Sequence, residues 1–428
     1  MNDLTIEVLG TIFFAIAVVH TFLAPRLLKW SHHFKSGSAS EAFLHLMGEI
    51  EVVFGFWAAI FMAIFATLRG AGTAVAYHES LHFTEPIFVF CIMVVAATRP
   101  VMFAARALIQ MLGHGLSKIL RIPEVVADLF VILTLGPLSG SFITEPAAMT
   151  VTTLLLRSMI KKSEDRWMYF LLGVLFVNIS IGGALTSFAA PPILMVAGKW
   201  SWSTSYVFTH FGWKSAIAVL VNTLVLILVF RKRFQENMQS VRVSAREVES
   251  IPLWIVLVHY LIVLALVLTA HHESAAMGVF MLFLGIASVT KQYQDALRLK
   301  ESLLVAFFLA GIIMFGNFQS WWLSPLLSGM DQITLYLGAT SLTAVTDNAA
   351  LTYLGSQVEG LTEISKYYLV AGAIAGGGLT IIANAPNAAG FSILQKNFSE
   401  GFSPLLLLRA AIIPTVIAVI CLGIFQTL

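Results

Sequence analysis

Long apolar runs separated by short polar segments dominate the pattern of hydrophobic and polar residues along the chain. A run of about twenty apolar residues is long enough to cross a bilayer as a helix. We expect one long helix at 84–113, kinked at Pro100, although two shorter spans would also fit the pattern. The runs lie at about 4–24, 42–66, 84–113, 168–197, 212–231, 251–270, 275–290, 302–322, 367–394 and 403–427. The pattern therefore predicts an all-α polytopic membrane protein.

Two further regions do not fit a single membrane crossing. Residues 124–158 and 324–358 each hold two short apolar stretches around a break, which reads TEPA in the first region and TDNA in the second. Stretches this short cannot cross twice, so we expect each region to form a re-entrant helical hairpin. Its tip must be buried in protein or line a watery cavity, because irregular backbone cannot face lipid.

The sequences around the two breaks are copies of each other. LGPLSGSFITEPAAMT at 135–150 aligns without a gap with LGATSLTAVTDNAALT at 337–352, and seven of the sixteen positions are identical. An internal duplication of this kind indicates two structural repeats within one chain.

A second pair of related sequences follows the first pair in the same order. GGALTSFAAPP at 182–192 resembles GGGLTIIANAP at 376–386, and each ends in an Ala/Pro break. These breaks predict interrupted helices at 168–197 and 367–394. Paired interrupted segments in two halves are typical of a transporter whose site lies at the interface of two repeats.

The positions of the Lys and Arg residues predict on which side of the membrane each loop lies. Most of the 25 Lys and Arg residues fall on one side when the basic 232–250 loop is placed in the cytoplasm, as the positive-inside rule requires. This topology gives two inverted repeats, each of five spans and one hairpin, at 1–233 and 249–428. A cytoplasmic basic linker at 234–248 joins them. We expect a multi-pass protein of the inner (plasma) membrane with both chain termini outside.

The composition of the chain argues against several classes of protein, among them soluble globular proteins and nucleic-acid-binding proteins. With 58% hydrophobic residues, 11% charged residues and a mean hydropathy of +0.87, the chain is too apolar for a soluble globular protein of its length. A net charge of +2 without a basic face predicts no nucleic-acid partner. The absence of a GxxxxGK[ST] motif argues against ATP-driven transport. We expect a transporter rather than an enzyme, surrounded by the lipid bilayer.

An acid at each break indicates a cation site. An interrupted helix leaves backbone N–H and C=O groups free, and oxygen atoms are the ligands that a hard cation such as Na⁺ prefers. We expect Glu145 and Asp347 to be ligands of Na⁺, and we expect no cofactor beyond the transported Na⁺ and H⁺. The other candidate cation or proton ligands are Thr144, Asn178, Thr186, Ser187, Thr343, Thr346, Asn348, Thr380, Asn384 and Asn387.

Four more polar residues lie inside apolar runs. His45 and Glu49 share a helix face because they are four residues apart, and together with Glu51 they are a candidate proton path. The alternative is that they lie near the end of a span and pair with a loop cation. Arg99 either neutralises Glu145 or Glu49 when the site is empty or has a structural packing role.

Two hairpins and two interrupted helices in inverted repeats resemble the ion transporter superfamily, which includes NhaD-like sodium/proton antiporters, arsenite permeases and dicarboxylate/sodium symporters. TDNAAL at 346–351 is similar to the Asp-Asn pair of the NhaD-like antiporters, and NAPN at 384–387 is similar to their second helix break. The resemblance implies a homodimer and elevator-type movement of a transport domain against a scaffold. The acids at both tips depart from the neutral Ser-Asn-Thr tips of the dicarboxylate members.

These observations predict a secondary active transporter that exchanges Na⁺, or a similar monovalent cation, for H⁺. Proton and cation would compete for Asp347. The alternative is a Na⁺- or H⁺-coupled symporter of an organic or inorganic anion from the same superfamily. A channel or a receptor is a weaker hypothesis, since neither needs a pair of interrupted helices.

Overall fold

The computed structural model describes residues 3–31, 33–35, 37–161, 165–241, 251–269, 272–319, 321–322, 325–326, 329–394, 397–398 and 402–424. These residues are helical almost throughout and contain no β-strand, although one isolated bridge joins Ile160 to Met238. In this part of the chain, six helices are long and apolar enough to cross a membrane, or seven if one bent pair counts as a single span. The prediction of an all-α polytopic membrane protein is confirmed, with fewer long helices than apolar runs.

The first half begins with α1 and ends with α12. A π-helical turn, Phe208–Gly212, joins α11 to α12, so that the two cross as one helical segment of 34 residues. The helices are α1 Asp3–Ser31, α2 Ala39–Met47, α3 Ile50–Arg69, α4 Ala71–Glu79, α5 Thr84–Ala96, α6 Arg99–Leu120, α7 Glu124–Ile143, α8 Glu145–Met159, α9 Asp165–Gly182, α10 Pro191–Ala197, α11 Thr204–Val207 and α12 Trp213–Asn237.

The second half repeats the order of a helix pair followed by an interrupted helix. Here α16 and α17 form the pair, and α18 and α19 are the two parts of the interrupted helix, as α7, α8, α9 and α10 are in the first half. The helices are α13 Leu253–Leu268, α14 Glu273–Val289, α15 Leu299–Gly316, α16 Gln332–Thr343, α17 Asn348–Ser356, α18 Glu363–Gly376, α19 Ala385–Leu394 and α20 Pro404–Ile424. That the two halves are inverted stays a prediction.

The apolar run at 84–113 is not the single kinked helix that we expected. The segments Pro86–Ala96 and Arg99–Leu120 are bent by 67°, and the helix breaks before Arg99. Pro100 lies in the first turn of α6, where its missing N–H removes no bond because the first N–H groups of a helix have no intrahelical partner. The proline therefore starts a new helix instead of kinking a continuous one.

The first arm of the first hairpin, α7, continues through Pro137 to Ile143. It ends where the TEPA break predicted, but its 20 residues are long and apolar enough to cross a membrane alone, whereas we expected two short stretches. A proline inside a helix leaves the carbonyl four residues earlier without its N–H partner. That carbonyl, of Leu133, accepts hydrogen bonds from Asn178 Nδ2 at 2.9 Å and Thr223 Oγ1 at 3.1 Å. Neighbouring helices thus satisfy the freed backbone group, so α7 does not break there.

Each interrupted helix packs against the hairpin of its own half in the same way. Thr186 Oγ1 donates to the Ser141 carbonyl at 2.7 Å in the first half, and Thr380 Oγ1 donates to the Ala344 carbonyl at 2.8 Å in the second. The two threonines occupy aligned positions in the duplicated sequence. The duplication therefore conserves a local contact as well as a sequence.

The two halves also interlock. The second arm of each hairpin packs against the second part of the other half's interrupted helix: α8 against α19, and α17 against α10. The interrupted helices touch each other midway, where Ser180 Oγ donates to the Ile374 carbonyl at 2.7 Å. The tips of both hairpins are thereby brought together, and both line one small cavity.

The hydrophobic core divides into clusters that follow these packing groups. One cluster is formed mainly by α1, α3, α5, α13, α14 and α15. Two others are formed mainly by the first hairpin, α9 to α12, α18 and α20. The hairpin tips lie where the first cluster meets the rest, since Ala349 and Ala350 of α17 belong to it.

The linker predicted at 234–248 begins later than expected, because α12 continues to Asn237. The residues that follow lie against the base of the first hairpin, where Gln239 N donates to the Met159 carbonyl at 2.7 Å and Val241 N donates to Asp128 Oδ2 at 2.9 Å. Residues 242–248 of the predicted linker lie outside the described residues.

Candidate functional site

The second hairpin tip holds Asp347 at the start of a helix. Its Oδ1 accepts hydrogen bonds from Ala349 N at 2.8 Å and Ala350 N at 3.2 Å, so the side chain caps α17. The backbone N–H of Ala385, at the start of α19, also faces the carboxylate. The N-terminus of a helix favours negative charge. Two helix ends therefore converge on one half-buried carboxylate and stabilise its negative charge.

The first hairpin tip has a strained backbone. Thr144, which separates α7 from α8, has φ +74° and ψ 152°, a region that is essentially restricted to glycine. Its side chain is buried, and its Oγ1 has no hydrogen-bond partner among the described residues. Strain of this kind persists only where the surrounding packing imposes it, and it is concentrated at functional sites.

Glu145, the next residue, is fully buried and reaches across to the other half. Its Oε2 accepts a hydrogen bond from Asn384 Nδ2 at 2.7 Å. A Cβ added to Gly183 would lie 2.6 Å from Glu145 Oε1, so the glycine makes room for the carboxylate. Glu145 and Asp347 align in sequence but differ in role, because Asp347 caps its own helix whereas Glu145 bonds to the opposite repeat.

Several buried oxygen atoms near the tips have no hydrogen-bond donor within the described part of the chain. A buried polar atom without a protein partner is costly and uncommon, and contact with an ion or a water is one physical reason for it. The atoms are Thr144 Oγ1, Glu145 Oε1, Asn348 Oδ1, Asn384 Oδ1 and Asn387 Oδ1. All five belong to residues that the sequence predicted as ligands, and all five are oxygens, as Na⁺ requires.

A small cavity lies between the two tips. Its volume is about 20 Å³ and its lining includes Thr144, Asp347 and Asn384. A single water needs roughly 10–15 Å³ of such space. The cavity thus has room for one water-sized particle, such as a dehydrated monovalent cation, beside a carboxylate and a buried amide oxygen.

Hydrogen bonds from the side-chain amides of Asn348 and Asn387 connect the segments around the tips. Asn348 Nδ2 donates to Ser180 Oγ at 3.4 Å, so the second tip contacts the interrupted helix of the first half. Asn387 Nδ2 donates to the carbonyls of Gly377 and Thr380 at 2.7 and 2.8 Å, which ties α19 to the irregular segment before it. Their amide oxygens are left for another ligand.

Other predicted ligands are engaged in structural bonds. Thr343 and Thr346 donate their hydroxyl protons to backbone carbonyls one turn earlier, at 2.8 and 2.9 Å. Ser187 Oγ lies 2.9 Å from Thr204 Oγ1. Asn178 bonds to the carbonyl that Pro137 frees and accepts from Asn222 Nδ2 at 3.0 Å. None of these four lines the small cavity.

The candidate proton path lies away from the tips. Glu49 Oε1 is 3.6 Å from His45 Nδ1 and 3.2 Å from Lys300 Nζ, and both partners are well exposed. This geometry matches the alternative interpretation, pairing with a cation near the end of a span. The side chain of Glu51 lies outside the described residues. Arg99 is half-buried at the start of α6 and does not line the small cavity.

Three residues of the site were not predicted from the sequence. Gly183 borders the Glu145 carboxylate, Ser180 joins the tip to the opposite repeat, and Ser141 Oγ donates to the Gly182 carbonyl at 2.7 Å while accepting from Leu185 N. The glycines in GGALT and GGGLT were the available signal, because paired glycines indicate a close approach of backbones.

Comparison with known proteins places the chain in a family. A family model described as "Putative Na+/H+ antiporter" matches residues 5–425. No curated protein matches the chain. Among solved structures, the crystal structure of the Alcanivorax borkumensis YdaH transporter, described as having an unusual topology, aligns over 88% of this chain and 96% of its own, with 10% identity and a TM-score of 0.46. Because the family model covers nearly the whole sequence, the chain belongs to this Na⁺/H⁺ antiporter family.

Proposed function

We propose that the protein exchanges Na⁺, or a similar monovalent cation, for H⁺ at a site formed by the two hairpin tips. One observation carries the proposal: Thr144 and Asn384, each with a buried oxygen atom that has no partner among the described residues, line a cavity the size of one ion together with the Asp347 carboxylate. A dehydrated cation needs oxygen atoms to replace its water, and a proton needs an acid to carry it. Both requirements are met by the same groups.

Competition for one carboxylate couples the two ions. A protonated Asp347 is a poor ligand for Na⁺, and a bound Na⁺ keeps the carboxylate ionised, so the site holds either a proton or a cation. The apparent affinity for Na⁺ should therefore rise with pH until the acid is fully ionised and then become constant. Glu145 supplies a second carboxylate whose Oε2 is held by Asn384 and whose Oε1 completes the ligand set.

The finer mechanism is also part of the proposal. We assign elevator-type movement to the hairpins and interrupted helices against a scaffold of α1, α3, α5, α13, α14 and α15, whose side chains form most of one hydrophobic cluster. Inverted repeats, a homodimer and a NhaD-like mode of binding complete this hypothesis. It rests on the duplicated tips and on the similarity of TDNAAL to the NhaD-like antiporters.

The decisive variant is Asp347→Asn. Asn is as good a helix cap as Asp, so α17 keeps its start while the charge and the titration are lost. Asp331→Asn is a matched control, because Asp331 caps α16 of the same hairpin through Ile333 N and Thr334 N and is exposed. Both purified variants should unfold near the wild-type temperature.

Transport is measured in proteoliposomes with an imposed pH gradient and a pH-sensitive dye. Wild type and Asp331→Asn should release protons on addition of Na⁺, and Asp347→Asn should not. Glu145→Gln should weaken the exchange or shift its pH profile. Normal Na⁺-dependent proton release by Asp347→Asn would refute the assignment of the carrier, and proton movement only with an added anion would favour the symporter.

A further inference from the structure

A second, larger cavity lies on the other side of Asp347. It has a volume of about 330 Å³ and lies between α1, α3 and α15 on one side and the second hairpin and interrupted helix on the other. Four aromatic side chains line it: Phe14, Phe54, Phe308 and Trp322. We call it the aromatic cavity. Among the described residues that line it, Asp347 alone carries a charge.

Away from Asp347 and Asn384, the walls of the aromatic cavity offer little to a small inorganic ion or an anion. Thr11, Thr21 and Thr346 line it, but each donates its hydroxyl proton to a backbone carbonyl one turn earlier in the chain. The indole N–H of Trp322 donates to Gln319 Oε1 at 3.1 Å. The remaining surface is mainly carbon, which cannot replace the water of Na⁺ or supply the donors that an anion needs.

An organic cation fits both features of the aromatic cavity. The rings of Phe14 and Phe54 are 5.6 Å apart, and those of Phe54 and Phe308 are 5.2 Å apart, so the aromatic surface is continuous. Aromatic faces attract cations and pack against apolar groups. A cavity of this size with one convergent charged group is typical of a small-molecule site.

We propose that the aromatic cavity binds a monovalent organic cation, a primary ammonium attached to an aromatic or similarly apolar body. The nitrogen would lie at the Asp347 carboxylate and the body among the phenylalanines. This inference rests on the proposed function for one consequence: Na⁺ and the ammonium need the same carboxylate, so each displaces the other.

A change at Phe54 can distinguish binding in the aromatic cavity from binding in the small cavity. It lines the aromatic cavity but not the small cavity between the tips, whereas Phe308 lines both. Phe54→Leu should therefore weaken binding of the organic cation more than binding of Na⁺. Phe208→Leu is the matched control, because Phe208 lies in the π-helical turn before α12 and is 49% exposed.

The experiment measures equilibrium binding of tritiated 2-phenylethylamine to the purified protein in buffer free of Na⁺, K⁺ and other amines. Two unlabelled competitors each carry only one of the two features of the ligand, its ring or its charge. 2-Phenylethanol keeps the body and lacks the charge, and ethylamine keeps the charge and lacks the ring. We expect each to compete at least about tenfold more weakly than 2-phenylethylamine itself, since the site uses charge and ring together.

Na⁺ should displace the labelled amine. Asp347→Asn should lose most of the amine binding, and Phe54→Leu should weaken it several-fold. The controls Asp331→Asn and Phe208→Leu should bind the amine as the wild type does. Equal competition by 2-phenylethanol, or no saturable binding to wild type, would overturn the inference even if Asp347→Asn were unstable. If the amine fails to bind while Na⁺/H⁺ exchange is intact, the proposed function stands without this site. If the amine binds and no cation exchanges, the site stands and the proposed function fails.

Discussion

Gly183→Ala tests whether Glu145 must be held in one position. The new Cβ would lie 2.6 Å from Glu145 Oε1 and 2.9 Å from its Cγ, whereas ordinary contact begins at 3.4 Å. Gly183 does not have a positive φ, so alanine is compatible with the backbone and the conflict is purely steric. The carboxylate must therefore move by about 0.8 Å, the shortfall between those distances.

Such a movement has two calculable consequences. The 2.7 Å bond from Asn384 Nδ2 to Glu145 Oε2 would lengthen toward about 3.5 Å, where hydrogen bonds are weak, and a bond to a charged group contributes about 1.5–3 kcal/mol to stability. Disturbing a group that orients a ligand of a bound ion lowers affinity by roughly 10–100-fold. We therefore expect a moderate loss of stability together with a higher apparent KM for Na⁺.

The assay is Na⁺-dependent proton release in proteoliposomes at a series of Na⁺ concentrations, with the thermal unfolding midpoint of the same preparations measured in parallel. Gly198→Ala is the matched control, because an added Cβ there meets nothing within 4 Å. It should show the wild-type KM and midpoint. A Gly183→Ala protein with both values unchanged would show that the position of Glu145 is not critical, and the reasoning would be wrong.

Three further predictions address stability and the tips. Thr144→Gly removes a backbone strain of about 1–3 kcal/mol and an unpartnered hydroxyl, so the midpoint should rise while Na⁺ affinity falls; a lower midpoint would contradict the strain. Asn178→Ala leaves the carbonyl freed by Pro137 with fewer donors and should lower stability by about 1–3 kcal/mol without changing Na⁺ affinity; reduced affinity at unchanged stability would return Asn178 to the ligand set. Hydrogen bonds from the Thr334 side chain and backbone hold the pKa of Asp331 below its usual range, so its contribution is complete above the unfolded-state pKa of about 3.9 and is lost as pH falls through the folded value. The difference in midpoint between wild type and Asp331→Ala should therefore shrink on acidification, and an increase would refute the assignment.

The sequence predicted the helical class and the breaks because both depend on local composition. Apolar runs of spanning length require helices, and the duplicated TEPA and TDNA breaks became the ends of α7 and α16 and the starts of α8 and α17. The one acid, three amides and one hydroxyl with unpartnered oxygens near the tips were also predicted as candidate ligands, since polar residues at a helix break inside a membrane protein have few structural uses.

What the sequence could not supply depends on packing between distant segments. Glu145 and Asp347 occupy aligned positions, yet one bonds to the other half of the chain and the other caps its own helix. Pro137 lies inside α7, where Asn178 and Thr223, from other helices, satisfy the carbonyl that it frees. Such partners lie 45 and 90 residues away, beyond the reach of any local pattern.

The hydrogen bonds between the halves also bear on how the site opens. Glu145 of the first tip bonds to Asn384 of the second half, and Asn348 of the second tip bonds to Ser180 of the first half. If either hairpin swung away alone, a buried carboxylate or amide would lose its partner, and the penalty would recur at every transport cycle. A movement that keeps hairpins and interrupted helices together breaks neither bond. It changes instead the largely apolar contacts around the aromatic cavity, which can slide because they lack direction. These bonds support the proposed movement of the whole unit against α1, α3 and α15 over opening of a single hairpin, although that movement would break a long bond from Tyr353 Oη to the Ile313 carbonyl.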